Sequence, residues 1–136
     1  MIRAIFVSAL CALIPLSTAH AAEVPAGSGV FFENLKDGQE VTSPVTVKMG
    51  VTGLKVAAAG NVVEGEGHHH LIIDGSPTPV MGVVPADESH IHFGKGQTET
   101  SIPLTAGKHT LTLQFADGAH RSYGPVLSKT ITVTVK

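Results

Sequence analysis

Cysteine, tryptophan and charge are all scarce in this chain. Of 136 residues one is cysteine, none is tryptophan and one is tyrosine, while Asp, Glu, Lys and Arg together make up 15%. Cys11 falls in an N-terminal apolar stretch that reads as removable, so the remainder has neither a disulfide nor a thiolate ligand to offer a metal. Aromatics at 4% leave no platform for stacking sugars. Nine Lys and Arg against eleven Asp and Glu give a net charge of −2 with histidine neutral. No cluster of cations is present to neutralise phosphates, which argues against a nucleic-acid partner. With 43% apolar residues the chain can nevertheless build a core, so disorder is not expected. Against these shortages, histidine is abundant: eight residues, almost as many as lysine and arginine combined.

Residues 1–21 read as a secretory signal peptide. Arg3 supplies a positive start, and Ala4 to Leu16 form an apolar stretch interrupted by Ser8. Ala19-His20-Ala21 then offers a small-residue cleavage site before Ala22. A second register, Ser17-Thr18-Ala19, would leave His20 first, with an amine and an imidazole able to chelate copper together. The apolar stretch falls short of the ~20 residues a membrane span needs. Export to a bacterial periplasm is therefore expected, with no membrane span. Residues 22–29 read as a linker and 30–136 as one domain, long enough to fold without staples.

Alternation with a period of two dominates that domain. Val45, Val47, Met49 and Val51 share one face, His109, Leu111, Leu113 and Phe115 another, and Ile131, Val133 and Val135 a third. This is the pattern of half-buried antiparallel strands. Val30–Leu35, His69–Ile73, His90–Phe93 and Thr98–Leu104 are further strand candidates. Turns are expected at Asp37-Gly38, Asp74-Gly75-Ser76-Pro77, Ala106-Gly107-Lys108 and Asp117-Gly118. No apolar stripe of helical period appears. The expected fold is all-β, an immunoglobulin-like antiparallel β-sandwich of about seven strands, with long loops at 55–67 and 75–88.

Two histidine pairs are spaced i, i+2: His68/His70 and His90/His92. On a strand that spacing puts both side chains on one face, about 7 Å apart at Cα. Two imidazoles so placed can converge on one ion, and neutral imidazole suits copper, zinc and nickel. In His90-Ile91-His92-Phe93 the apolar residues take one face and the histidines the other. Around His68-His69-His70 the phase is open, since His69 goes with Leu71 and Ile73 while His68 and His70 go with Ile72. His109 and His120 complete the candidate ligands. His109 shares a face with core residues and also reads as a hydrogen-bonded packing residue. Asp74, Asp87, Glu88 and Glu99 lie near these segments and could accept a ring N–H. Gly94-Lys95-Gly96-Gln97 lacks the frame of a phosphate loop, and no nucleophile elbow is present.

The strings Gly67-His68-His69-His70-Leu71-Ile72-Ile73-Asp74, Pro85-Ala86-Asp87-Glu88, His92-Phe93-Gly94-Lys95-Gly96-Gln97-Thr98-Glu99, Gly107-Lys108-His109-Thr110-Leu111 and Asp117-Gly118-Ala119-His120 resemble a family of small secreted bacterial domains. The resemblance runs from about Val30 to Lys136. That family is catalogued as a domain of unknown function, and some members carry a rod shape-determining label. The resemblance implies an exported β domain with a shared histidine set and hands over no activity. The family often has another histidine shortly after the position of His120, where this chain reads Arg121-Ser122-Tyr123-Gly124. The short segment His90-Ile91-His92-Phe93-Gly94 also resembles the H-x-H copper segment of copper-zinc superoxide dismutases.

The leading expectation is an exported metal-binding protein. Copper is its first candidate ion and zinc the alternative, held by His68, His70, His90 and His92 with His120 and His109 in reserve. One rival is a copper-dependent, dismutase-like redox enzyme. The other is an immunoglobulin-like interaction module whose histidines are simply hydrogen-bonded.

Overall fold

A computed structural model describes residues 22–136. The expected signal segment, with Cys11, His20 and both cleavage registers, lies outside the described residues.

The described chain is all-β apart from one 3-10 turn at Pro125–Leu127. Its nine strands are β1 (Gly29–Phe32), β2 (Gln39–Val41), β3 (Val45–Thr52), β4 (Lys55–Val56), β5 (Glu66–Ile73), β6 (His90–His92), β7 (Glu99–Ile102), β8 (Gly107–Ala116) and β9 (Ser128–Val135). They form a three-stranded sheet in the order β1-β3-β7 and a six-stranded one in the order β2-β9-β8-β5-β4, with β6 also paired to β5. The two-sheet arrangement includes a curled half-barrel.

Nine strands rather than about seven result from two short pieces that alternation could not flag. Three-residue β2 and two-residue β4 are too brief to show a period. Both pair parallel, β2 with β9 and β4 with β5, so antiparallel pairing is not universal as expected. The longer strands follow their apolar alternation. Val45, Val47 and Met49 on β3 face Leu111, Leu113 and Phe115 on β8 and Ile131, Val133 and Val135 on β9 across the core.

Strand β5 departs from simple alternation, for every residue from Gly67 to Ile72 is buried. One face, carrying His69 and Leu71, looks into the core. The other carries His68, His70 and Ile72, paired in register with Ala116, Gln114 and Thr112 of β8. That outer face is covered as well. The 78–84 segment bonds to 120–122 through Met81 N–H to Ser122 O, Val84 N–H to His120 O and Ser122 N–H to Gly82 O. Ser122 Oγ donates to Thr78 O. Part of the long loop expected at 75–88 is thus bonded alongside the 120–122 segment that follows β8. Among the described residues no helix is long and apolar enough to cross a membrane.

Candidate metal centre

At one end of that outer face four imidazoles meet. His68, His70, His92 and His120 each present a ring nitrogen, and the four nitrogens lie within 4.8 Å of one another. His68 Nε2 is 3.1 Å from His120 Nδ1 and 3.1 Å from His92 Nε2. Four nitrogens bound at about 2.0–2.1 Å in a tetrahedron would stand about 3.3 Å apart; the two 3.1 Å separations already match that spacing, and the wider ones, up to 4.8 Å, would have to close by as much as about 1.5 Å.

Each ring is brought there by a different device. His68 and His70 are two residues apart on β5, so their side chains share its outer face. His92 lies directly across from His70 in the β5–β6 register. His120 arrives from the turn after β8, where its φ of 63° lies in the left-handed region. Asp117 stabilises that turn. Its Oδ1 accepts the N–H groups of Ala119 and Arg121, and its Oδ2 accepts Arg121 Nε at 2.8 Å.

The electrostatics favour neutral rings with free lone pairs. Burial, reinforced by His92 and His120, lowers the His68 pKa to about 4. Burial and the same neighbours, with His68, lower His70 to about 3. His92 is lowered too, by burial and then by His120. A neutral imidazole carries one N–H and one lone pair. If the protons sit on the inward nitrogens, donors crowd together. If they sit outward, the buried Nδ1 atoms of His68 and His70 have no acceptor. Either way the cluster alone leaves polar groups unmet, and a cation at its centre would take up the inward lone pairs.

Two of the expected ligands stand elsewhere. His90 shares the outer face of β6 with His92, but it pairs with Ile72, one step further from His68. Its Nδ1 bonds Asp87 Oδ1 at 2.6 Å. His109 lies at the far end of β8, where Nδ1 bonds Asp74 Oδ2 at 2.7 Å and Nε2 donates to Thr105 O at 2.8 Å. The carboxylates Asp74 and Asp87 do orient histidines, but these are the two outside the cluster. His69, in the middle of the triple, faces the core, edge-on to Phe115 at 5.0 Å between centroids. Asp117 escaped the sequence reading because a turn aspartate is ordinarily solvated. This one is buried.

No curated protein and no solved structure matches the chain. A family model does match, over residues 47–136, and that span contains all four clustered histidines together with Asp117 and Arg121. The match covers well over half of the chain, which therefore belongs to DUF4399, a family described as a domain of unknown function.

Proposed function

We propose that this chain is an exported, periplasmic metal-binding protein that holds one ion, copper in the first place and zinc in the second, on an immunoglobulin-like sandwich. The observation that carries the reading is the convergence of His68, His70, His92 and His120 from three separate chain segments, with their ring nitrogens within 4.8 Å. An all-nitrogen, thiol-free donor set binds Cu(II) most tightly of the divalent first-row ions, and four imidazoles that can close a tetrahedron make zinc the alternative. His68 and His70 form the fixed floor of the site, set in a strand buried on both faces. The low pKa values of these two rings leave them neutral at pH 7, so binding there displaces no proton. Binding of this kind serves carriage or buffering of the ion.

The test is elemental analysis beside intact mass on untagged, exported protein, followed by titration with copper and zinc. One ion per chain is expected. His68→Ala with His70→Ala should abolish tight binding, whereas His90→Ala and His109→Ala should retain it. No binding on titration, or unchanged affinity when all four clustered histidines are replaced by alanine, would overturn the reading.

A further inference from the structure

Three of the four clustered histidines are firmly placed. His68 and His70 sit in the buried centre of β5, and His120 is set by the Asp117–Arg121 turn. His92 differs. It is exposed, it ends a strand of three residues, and its Nε2 reaches inward to the buried His68.

The ring reaches His68 by leaning over Gly94. A Cβ placed on Gly94 would overlap Cε1 of the His92 ring and would lie 2.7 Å from Nε2 and 3.1 Å from Nδ1. Continuing the β5–β6 register by two residues would set Gly94 opposite His68, so the missing side chain is the space through which His92 approaches its partner. The Gly94 backbone does not itself demand glycine, because its φ is outside the left-handed region. What an alanine would displace is the end of an exposed side chain, which is free to turn outward.

We infer that Gly94 is a positioning residue that admits His92 to the cluster, and that His92 is the movable arm through which an ion enters and leaves the site. The first half stands on the metal-free geometry. The second rests on the metal-binding reading above. In this scheme His68, His70 and His120 retain the ion while His92 turns into solvent, where a competing donor takes the vacated position.

The experiment compares wild type, Gly94→Ala, His92→Ala and the double variant, each as exported protein. In the metal-free state, nuclear Overhauser contacts between the His92 and His68 rings should be present in wild type and lost in Gly94→Ala, with the melting temperature unchanged. With Cu(II) bound, Gly94→Ala should lose one imidazole from the paramagnetic resonance spectrum. It should also release the ion to a chelator about tenfold faster, in line with the 10- to 100-fold loss of metal affinity typical when a ligand's support is lost. The double variant should match His92→Ala, because Gly94 acts through that ring alone. Ring contacts that persist in Gly94→Ala, or a glycine effect that adds to His92→Ala, would overturn the positioning role. Retained release kinetics in Gly94→Ala with the ring displaced would overturn the exchange role. A wild type that takes up neither copper nor zinc would overturn the metal reading and the exchange role together, while the metal-free ring contacts still decide the role of Gly94.

Discussion

Replacing His69 should make the protein more stable, and most of all in acid. The side chain is fully buried on the core side of β5, and neither ring nitrogen has a hydrogen-bond partner. An unmet buried polar group costs about 1–3 kcal/mol, so the near-isosteric His69→Leu should add that much at pH 7.5. Acid enlarges the difference. Burial, with a contribution from His68, lowers the folded-state pKa from 6.5 to about 4. Between those values the unfolded chain binds a proton that the folded chain refuses. The stability associated with the neutral ring is therefore complete above pH 6.5 and is lost as pH falls toward 4. At 1.36 kcal/mol per pKa unit the loss approaches about 3 kcal/mol, a large share of a typical 5–15 kcal/mol. Urea unfolding of metal-free protein at intervals from pH 7.5 to 4.5 tests this. The stability of His69→Leu should fall less steeply than that of wild type, by about 1.4 kcal/mol per pH unit within the window. An unchanged slope, or a leucine variant less stable than wild type at pH 7.5, would refute the assignment of His69 as an unpartnered neutral ring.

The pair at the other end of β8 should behave in the opposite sense. The Asp74 hydrogen bond, helped by the Thr105 carbonyl, raises the His109 pKa, so its contribution is complete below pH 6.5 and is lost as pH rises through the raised value. Although partial burial pushes Asp74 upward, hydrogen bonds from His109 and the Thr110 N–H hold its pKa below 3.8. Asp74→Asn should therefore cost most between about pH 4 and 6.5. The cost should be about 0.5–1 kcal/mol, because the Asp74 side chain is 50% exposed and screened. Equal costs at pH 5.5 and pH 9.5 in urea unfolding would count against the pair. Asp117→Asn turns a donor toward Arg121 inside a nearly buried turn and should cost about 2 kcal/mol. It should also weaken copper binding by freeing His120. Full affinity by competition titration in this variant would show that the turn does not position the ligand.

Much of this arrangement was legible in the residues. Apolar alternation located β3, β8 and β9 because the residues facing the core alternate with Thr, Lys or Gln, even where β8 is buried on both faces, and the i, i+2 spacing placed His68 and His70 side by side. The partners of that pair were not legible, since which residue of β6 faces His70 depends on register. A shift of two residues would have brought His90 to His70 in place of His92. The phase of the triple histidine was ambiguous for a definite reason. β5 is buried on both faces and carries histidine in both parities, so no alternation of polar and apolar residues marks which side faces the core. His120 depends on a turn whose shape is set by a buried aspartate, and Gly94 matters through a space, which leaves no mark in composition.

The placement of the cluster also bears on why it exists. A sheet face that serves only stability would be expected to bury apolar side chains where the outer face of β5 is covered. Here it buries His68 and His70 instead, at 0% and 1% exposure, with Nδ1 atoms that find no partner. Each such nitrogen costs folding free energy, and the buried rings add an acid penalty of the same origin as that of His69. His69 could be exchanged for leucine at a gain. The outer pair differs because the same desolvation that penalises it also keeps its lone pairs unprotonated and aimed at His92 and His120. A cation bound there adds its binding free energy to the folded state alone, RT ln(1 + [L]/Kd), or about 4 kcal/mol at a thousandfold excess over Kd. That is enough to offset the cost of one or two unmet nitrogens. Packing has no use for four imidazoles on one side of this sheet, whereas the ion proposed above would account for the convergence of all four and for the burial of His68 and His70.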